Sequence, residues 1–182
     1  MEFIETLTQR NQDFAERTFS ADLKMLPSMK TIIVGCVDPR VDPADVFNLK
    51  PGEAVVIRNV AGRIDMTTLQ TMAILRKVAQ GAGKDIGEGW NLIKLHHTDC
   101  GISIAFRLAP DLIAEYLRVD QATLDDLAVT DPYKAVAVDV AALKANLRLP
   151  AGIVVTGVVY DVATGRTDIV VPSRRLRPEA DA

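Results

Sequence analysis

The chain contains two cysteines, Cys36 and Cys100, and each lies beside residues that can bind a metal or transfer protons. Cys36 begins the run Cys-Val-Asp-Pro-Arg, which also supplies Asp38 and Arg40. Cys100 ends the run His-Thr-Asp-Cys, which begins at His97. Two thiolates and one imidazole are three of the four donors of a tetrahedral zinc ion, and zinc with three protein ligands and one water is the catalytic arrangement. The residues therefore predict an open zinc site with hydrolytic or hydration chemistry.

The alternative for the cysteines is that both are small buried apolar residues without a shared role. No export signal is expected, because residues 1–19 carry six charged side chains instead of an apolar centre. The sequence therefore predicts a cytoplasmic protein, and in that reducing compartment a cysteine pair more often binds metal than forms a disulfide. The nearby Asp38, Arg40 and His97 favour the metal-binding interpretation.

Asp38 has two roles open to it that exclude each other. As a fourth ligand, Asp38 would close the zinc site and stop catalysis. Paired with the planar guanidinium of Arg40, it would stay off the metal and leave the fourth position to water. It could then accept a hydrogen bond from zinc-bound hydroxide and orient that hydroxide toward a substrate. We expect the open state near neutral pH or above, while the simplest alternative is an ordinary salt bridge in a loop.

The two thiolates also predict an alkaline pH dependence. Thiolates neutralise the charge of Zn²⁺, so a bound water should be less acidic than in a site with three neutral histidines, where its pKa falls to ~7. We therefore expect the rate of hydration to rise as the pH climbs above neutrality, as measured by stopped flow on protein fully loaded with zinc. A flat rate across that range would contradict hydroxide on thiolate-ligated zinc as the nucleophile.

Four residues near the two motifs are expected to have supporting roles. If strand geometry persists, His96 points away from the neighbouring His97, so it is expected to be packed or hydrogen bonded rather than a second ligand. Asp99 lies inside the turn and is expected to accept a backbone N–H or to support a ligand. Asn59 and Gly62 follow a predicted strand, where they shape the floor of the pocket or simply form a turn.

Buried strands must bring the two motifs together. The apolar run Thr31–Cys36 predicts a strand that ends at the first cysteine, and residues 90–96 predict a strand that ends just before His97. A further strand is predicted at residues 54–58. In a parallel sheet, ligands bind in the crevice outside the carboxyl ends of the strands. We therefore expect both motifs in one crevice.

Helix signals alternate with these strands. Capping residues predict helices after Asp42, where the helix runs to about Leu49, after Asp65, and after Asp131. Residues 101–127 look helical in short pieces. Alternation of strands and helices predicts an α/β fold with three layers and a mostly parallel sheet of about five strands.

The ends of the chain complete this prediction. Strands at residues 153–160 and 167–171, joined by a turn, form a hairpin that gives the sheet an antiparallel edge strand. Residues 1–182 are predicted to be a single domain. Within it, residues 1–20 form a helical arm that could pack on a partner subunit, and residues 172–182 form a tail that is mobile or lies on the surface.

The composition is that of an ordinary globular protein, with 182 residues, 48% hydrophobic and 25% charged. A net charge of −3 provides no basic field for a phosphate backbone, so no nucleic-acid partner is expected. No apolar stretch is long enough to span a bilayer, so no membrane partner is expected either.

At the two motifs the sequence resembles the beta-class carbonic anhydrases. Residues 36–40 match the Cys-x-Asp-x-Arg element of that family, and residues 97–101 match its His-x-x-Cys-Gly element. Residues 57–62 resemble the Arg-Asn segment after the second strand of the family. The similarity of order extends over residues 31–171, which is most of the chain.

The resemblance implies one Zn²⁺ per subunit, with Cys36, His97 and Cys100 as ligands and with Asp38 and Arg40 as the catalytic dyad. It implies reversible hydration of carbon dioxide to bicarbonate and a proton by zinc-bound hydroxide. It also implies a homodimer or a higher homo-oligomer with active sites near the subunit interface.

Two features depart from the family pattern. Pro39 stands where the family usually has serine or alanine, which removes a backbone N–H and stiffens the loop that carries Asp38 and Arg40. Residues 81–89 are rich in glycine and look longer than the usual lead into the third strand.

Two other functions stay open. Relatives with the same fold and metal site hydrolyse carbonyl sulfide or carbon disulfide, and their product, hydrogen sulfide, would distinguish them. The second alternative is a zinc-binding interaction or sensor domain without activity, in which Asp38 stays on the metal.

Overall fold

An interior strand of the sheet, Thr31–Cys36, is buried along its whole length, as its continuous apolar run predicts. The computed structural model describes residues 2–178. The strands are β1 Thr31–Cys36, β2 Ala54–Asn59, β3 Asn91–His97, β4 Val154–Asp161 and β5 Arg166–Arg175. Their order in the sheet is β2-β1-β3-β4-β5, and only β4 and β5 pair antiparallel. The predicted fold class, a mostly parallel sheet with an antiparallel edge strand, is confirmed.

Three helices begin directly after the aspartates that predict them. Asp42 accepts a hydrogen bond from the backbone N–H of Ala44, and Asp65 accepts one from the N–H of Thr68. Asp131 caps the last helix in the same way. The helices are α1 Phe3–Arg17, α2 Pro43–Val46, α3 Met66–Gly81, α4 Ile102–Leu108, α5 Pro110–Leu117 and α6 Pro132–Ala145.

α2 is shorter than predicted. It ends at Val46 instead of continuing to about Leu49. Asn48 adopts a left-handed backbone conformation with φ of 49°, which a continuing helix does not allow. The backbone conformation of Asn48 therefore prevents α2 from continuing to Leu49.

Apolar side chains fill both faces of the sheet. Val34 of β1 packs in one buried cluster with Met72 of α3 and Val140 of α6. Its neighbour Ile33 belongs to a separate cluster, against which Phe47 packs. Because successive strand residues face opposite sides, the two clusters give the sheet a layer on each face. Three layers result, as predicted.

The carboxyl-terminal segment differs from the prediction of a mobile tail. β5 continues to Arg175, and Leu176 is buried. The Arg177 guanidinium donates to the carbonyl oxygens of Lys144 and Asn146. Pro172 predicts the end of the strand, but an edge strand tolerates proline. Residues 172–175 therefore lie on the surface as part of the strand instead of forming a mobile tail, while residues 179–182 lie outside the described part.

The helix predicted in the amino-terminal arm is present as α1, and none of its residues from Phe3 to Arg17 is buried. Large apolar side chains of α1 face solvent, with Phe3 78% exposed, Leu7 41% and Phe14 45%. Among the helices described in residues 2–178, none has the length and hydropathy needed to cross a membrane.

Candidate metal centre

Three candidate ligands meet at the carboxyl edge of the sheet. Cys36 is the last residue of β1, His97 is the last residue of β3, and Cys100 lies in the turn that follows. One ligand atom from each lies within 4.8 Å of the others, and the two Sγ atoms are 4.0 Å apart. Tetrahedral zinc with Zn–S bonds of ~2.3 Å would place two sulfurs about 3.8 Å apart. The cluster therefore has the dimensions of a zinc site.

The imidazole of His97 is oriented as a metal ligand needs to be. Its Nδ1 lies 2.9 Å from the carbonyl oxygen of Thr98, and since a carbonyl only accepts, Nδ1 carries the proton. Nε2 then presents its lone pair, and this atom is buried without a hydrogen-bond partner among the described residues. A metal ion would give Nε2 a partner, with Thr98 fixing the tautomer.

The two thiols differ in acidity. The side chain of Cys100 hydrogen bonds to Cys36, and this contact lowers the pKa of Cys36 to about 4, against the opposing effect of burial. The same contact raises the pKa of Cys100, because a second thiolate beside the first is unfavourable. Of the two thiols, Cys36 is therefore the one that loses its proton more readily.

Asp38 lies outside the cluster of three and is held by Arg40. Nε of Arg40 donates to Oδ1 of Asp38 at 3.1 Å, and Nη2 donates to Oδ2 at 2.7 Å. The hydrogen bond from the Arg40 side chain is the main cause that lowers the pKa of Asp38 to about 2. The carboxylate is thus ionised at all physiological pH values and has a cationic partner other than a metal.

Pro39 does not prevent this pairing. It is the first residue of a short 3₁₀ helix, Pro39–Val41, where a backbone N–H would have no partner within the helix. Asp38 caps that helix by accepting the backbone N–H of Arg40 at 2.9 Å. Proline therefore fits the loop that carries the pair.

Arg40 has a second acidic partner, Asp99. Nη1 of Arg40 donates to Oδ2 of Asp99 at 2.9 Å, and Nη2 donates to the Asp99 carbonyl oxygen at 3.0 Å. The sequence predicts that Asp99 accepts a backbone N–H or supports a ligand, but it does not predict the contact with Arg40.

Arg58 supports the loop from the neighbouring strand. Its Nε donates to the carbonyl oxygen of Cys36 and its Nη2 to that of Asp38, both at 2.8 Å. Nη1 pairs with the carboxylate of Asp42. In the sequence, the signal for this role is an arginine at the end of an apolar strand. The residues that Arg58 contacts lie 16 to 22 positions earlier in the chain.

Gly62 packs tightly behind the candidate ligands. A Cβ atom here would lie 2.8 Å from the carbonyl carbon of Gly35 and 2.9 Å from the carbonyl oxygen of Leu95, and φ is +61°. Only glycine suits both the close approach and the backbone angle. Asn59 holds the same loop by donating to the Arg63 carbonyl oxygen at 2.7 Å. These contacts make both residues supports of the loop rather than members of the ligand cluster.

A buried group of charges fixes this loop to α6, and sequence analysis missed it. Lys94 is fully buried, and its Nζ lies 3.3 Å from Oδ2 of Asp139 on α6. Nε of Arg63 lies 3.2 Å from the same carboxylate. Burial lowers the pKa of Lys94, while Asp139 opposes that effect. A lysine inside a strand gave no signal of its distant partner.

His96 is not a member of the ligand cluster. Its Nδ1 accepts the backbone N–H of His97 at 2.8 Å, and its side chain is buried. The prediction of a packed or hydrogen-bonded histidine is confirmed.

Comparisons with known proteins agree with this geometry. A family model for carbonic anhydrase matches residues 31–167. The chain is 28% identical to beta-carbonic anhydrase 1 of Mycobacterium tuberculosis over 165 residues, which is 89% of this chain and 94% of that protein. The solved structure of a carbonic anhydrase from Streptococcus mutans is 29% identical and superimposes with a TM-score of 0.70, covering 94% of this chain and 99% of that one.

The matched fold and the cluster at its carboxyl edge define a protein of the carbonic anhydrase class. Within that class, the chain belongs to the beta-carbonic anhydrase family. The fold alone is also similar to that of a carbon disulfide hydrolase, at 22% identity and a TM-score of 0.58, covering 91% of this chain and 89% of that one.

Proposed function

We propose that this protein is a zinc lyase that interconverts carbon dioxide and bicarbonate, which is the function of the family to which it belongs. The observation that carries the proposal is the buried Cys-His-Cys cluster beside a carboxylate that is already paired with arginine. That pairing would keep Asp38 off a bound metal, so that a coordination position would stay open for the water that hydration consumes.

In this proposal Cys36, His97 and Cys100 hold one Zn²⁺ per subunit. The ion, when bound, would supply a Lewis acid that lowers the pKa of water and so makes it a better nucleophile. Both cysteines lie in an apolar cluster with Val41 and Ile102, which limits the access of bulk water and strengthens electrostatic interactions.

Asp38 is proposed to accept a hydrogen bond from the attacking water, and Arg40 to orient Asp38 for that role. With its pKa lowered to about 2, the Asp38 carboxylate remains an acceptor across the neutral and alkaline range. The bidentate contact fixes both carboxylate oxygens, so the acceptor lone pairs have a defined direction.

The proposal is tested by zinc content and stopped-flow carbon dioxide hydration on the same preparation, from neutral to alkaline pH. We expect one zinc per subunit and a hydration rate that rises with pH. Release of hydrogen sulfide from carbonyl sulfide or carbon disulfide, with little hydration, would support the hydrolase instead. Bound zinc without either activity would support the interaction or sensor domain.

The exposed face of α1 supports a homodimer or a larger homo-oligomer. Phe3, Leu7 and Phe14 lie within about 40° of one another around the helix axis, and all three are exposed in the single chain. An isolated helix of 15 residues is marginally stable in water, so this apolar stripe needs a surface to cover it. A second copy of the chain would provide that surface near the active site.

We expect the double variant L7D/F14D to be monomeric at concentrations where the wild-type protein is a dimer, because two charges would be buried in the interface. Light scattering after size-exclusion chromatography measures this. The control is Gln12→Asp, which places a charge on the opposite face of α1 and should leave the dimer intact. A double variant with wild-type mass would rule out the arm as an interface.

A cytoplasmic location is part of the proposal. The two cysteines are free thiols, and ligation by thiolates requires a compartment in which they stay reduced. Carbon dioxide, or carbonyl sulfide or carbon disulfide in the alternative, is the only small-molecule partner proposed.

A further inference from the structure

The guanidinium of Arg40 lies between two acidic residues that follow different strands. Asp38 accepts from Nε and Nη2, while Asp99 accepts from Nη1 with its carboxylate and from Nη2 with its backbone carbonyl. One arginine thus links the loop after β1 to the turn after β3, the two segments that carry the candidate ligands.

Asp99 lies where its carboxylate can contact Arg40, and its side chain makes no other hydrogen bond among the described residues. Its φ is +53°, a left-handed conformation that aspartate tolerates better than most residues. Its side chain is 77% exposed, compared with 15% for Asp38, so it does not fill the core. In the part of the chain that the structure describes, the Asp99 carboxylate hydrogen bonds to Arg40 alone.

We propose that Asp99 is a positioning residue that anchors Arg40, so that Asp38 stays paired with the guanidinium instead of becoming a fourth metal ligand. This inference rests on the proposed function of the site. The Arg40 side chain is 48% exposed and would be free to move into solvent if only Asp38 held it. A second anchor lowers the entropy that Arg40 loses when it binds Asp38, so the open site is favoured.

Two variants test the side chain of Asp99 while keeping the backbone conformation of the turn. Asp99→Gly removes the side chain and Asp99→Asn removes its charge, and both residues accept a positive φ. We expect Asp99→Gly to lower kcat for hydration roughly three- to tenfold, because the contact should be intermediate in strength between an exposed ion pair and a charge-assisted hydrogen bond. Asp99→Asn should have a smaller effect. Asp85→Asn, which breaks the remote pair of Asp85 with Arg76, is the control and should change nothing.

Metal binding provides the decisive measurement. If Asp38 joins the metal when the anchor is lost, Asp99→Gly should tighten Co²⁺ binding roughly three- to tenfold, since about 1 kcal/mol corresponds to a fivefold change. The visible spectrum of the Co²⁺ protein should also change. In the Asp38→Ala background, Asp99→Gly should alter neither property.

Equal effects of Asp99→Gly with and without Asp38 would mean that it acts only on the turn, and would overturn the proposal. Unchanged Co²⁺ affinity and spectrum in the single variant would overturn it as well. Neither measurement depends on hydration activity, so failure of the proposed function and failure of the role of Asp99 are distinguishable.

Discussion

Replacing Cys36 with serine will remove zinc from the protein and abolish hydration activity. A serine hydroxyl does not ionise near neutral pH, so only His97 and Cys100 would remain as good ligands. Loss of residues that merely support a ligand costs about 10- to 100-fold in metal affinity, and loss of a ligand should cost more. The same result is expected for Cys100→Ser.

Zinc content after gel filtration, together with competition against a chelator, measures this effect. The control is Val37→Ser, which introduces the same hydroxyl one position later on a half-exposed side chain and should retain the metal. Circular dichroism on both variants shows whether the fold survives. One zinc per subunit in Cys36→Ser would refute the ligand assignment.

Replacing Arg40 with alanine should leave zinc bound but lower kcat by at least about 100-fold, the lower end for loss of a positioned proton-transfer group. Without the guanidinium, Asp38 loses the main cause of its low pKa and its bidentate partner. The carboxylate is then free to coordinate the metal, which would exclude the water that reacts.

Stopped-flow hydration and zinc content on one preparation test this prediction. Arg40→Lys keeps the charge but not the planar fork, so it should recover only part of the activity. Arg76→Ala, which removes a partly exposed arginine from another bidentate pair, is the matched control. An Arg40→Ala protein with near wild-type kcat would rule out the assigned dyad.

Local sequence patterns predicted most of the fold because they are read over a few residues. A continuous apolar run is sufficient for β1, and one aspartate followed by proline is sufficient for the start of α6. The ligand cluster followed from the same logic, since parallel strands end at one edge. The chemistry of the residues suggested the roles of Asp38 and Arg40, the family resemblance implied the same dyad, and these roles stay predictions.

Contacts between distant side chains were not predictable in this way. Arg40 and Asp99 are 59 residues apart, and Arg63 and Asp139 are 76 residues apart. Neither pair has a signature in its own neighbourhood, because either arginine could face solvent. The extent of β5 was missed for a related reason, since charged residues and Pro172 mark both a tail and an edge strand.

The buried group of Arg63, Lys94 and Asp139 has a consequence for folding during protein synthesis. Asp139 comes after every candidate ligand in the chain, yet through Arg63 it fixes the loop whose Gly62 lies against β1 and β3. During synthesis the amino-terminal part of a chain emerges first, so all three ligands leave the ribosome before α6 can dock. Arg63 and Lys94 have no buried carboxylate to neutralise them until then. We therefore expect a rigid metal centre to form only late in translation, and an interrupted chain to carry the ligands without the support that orients them.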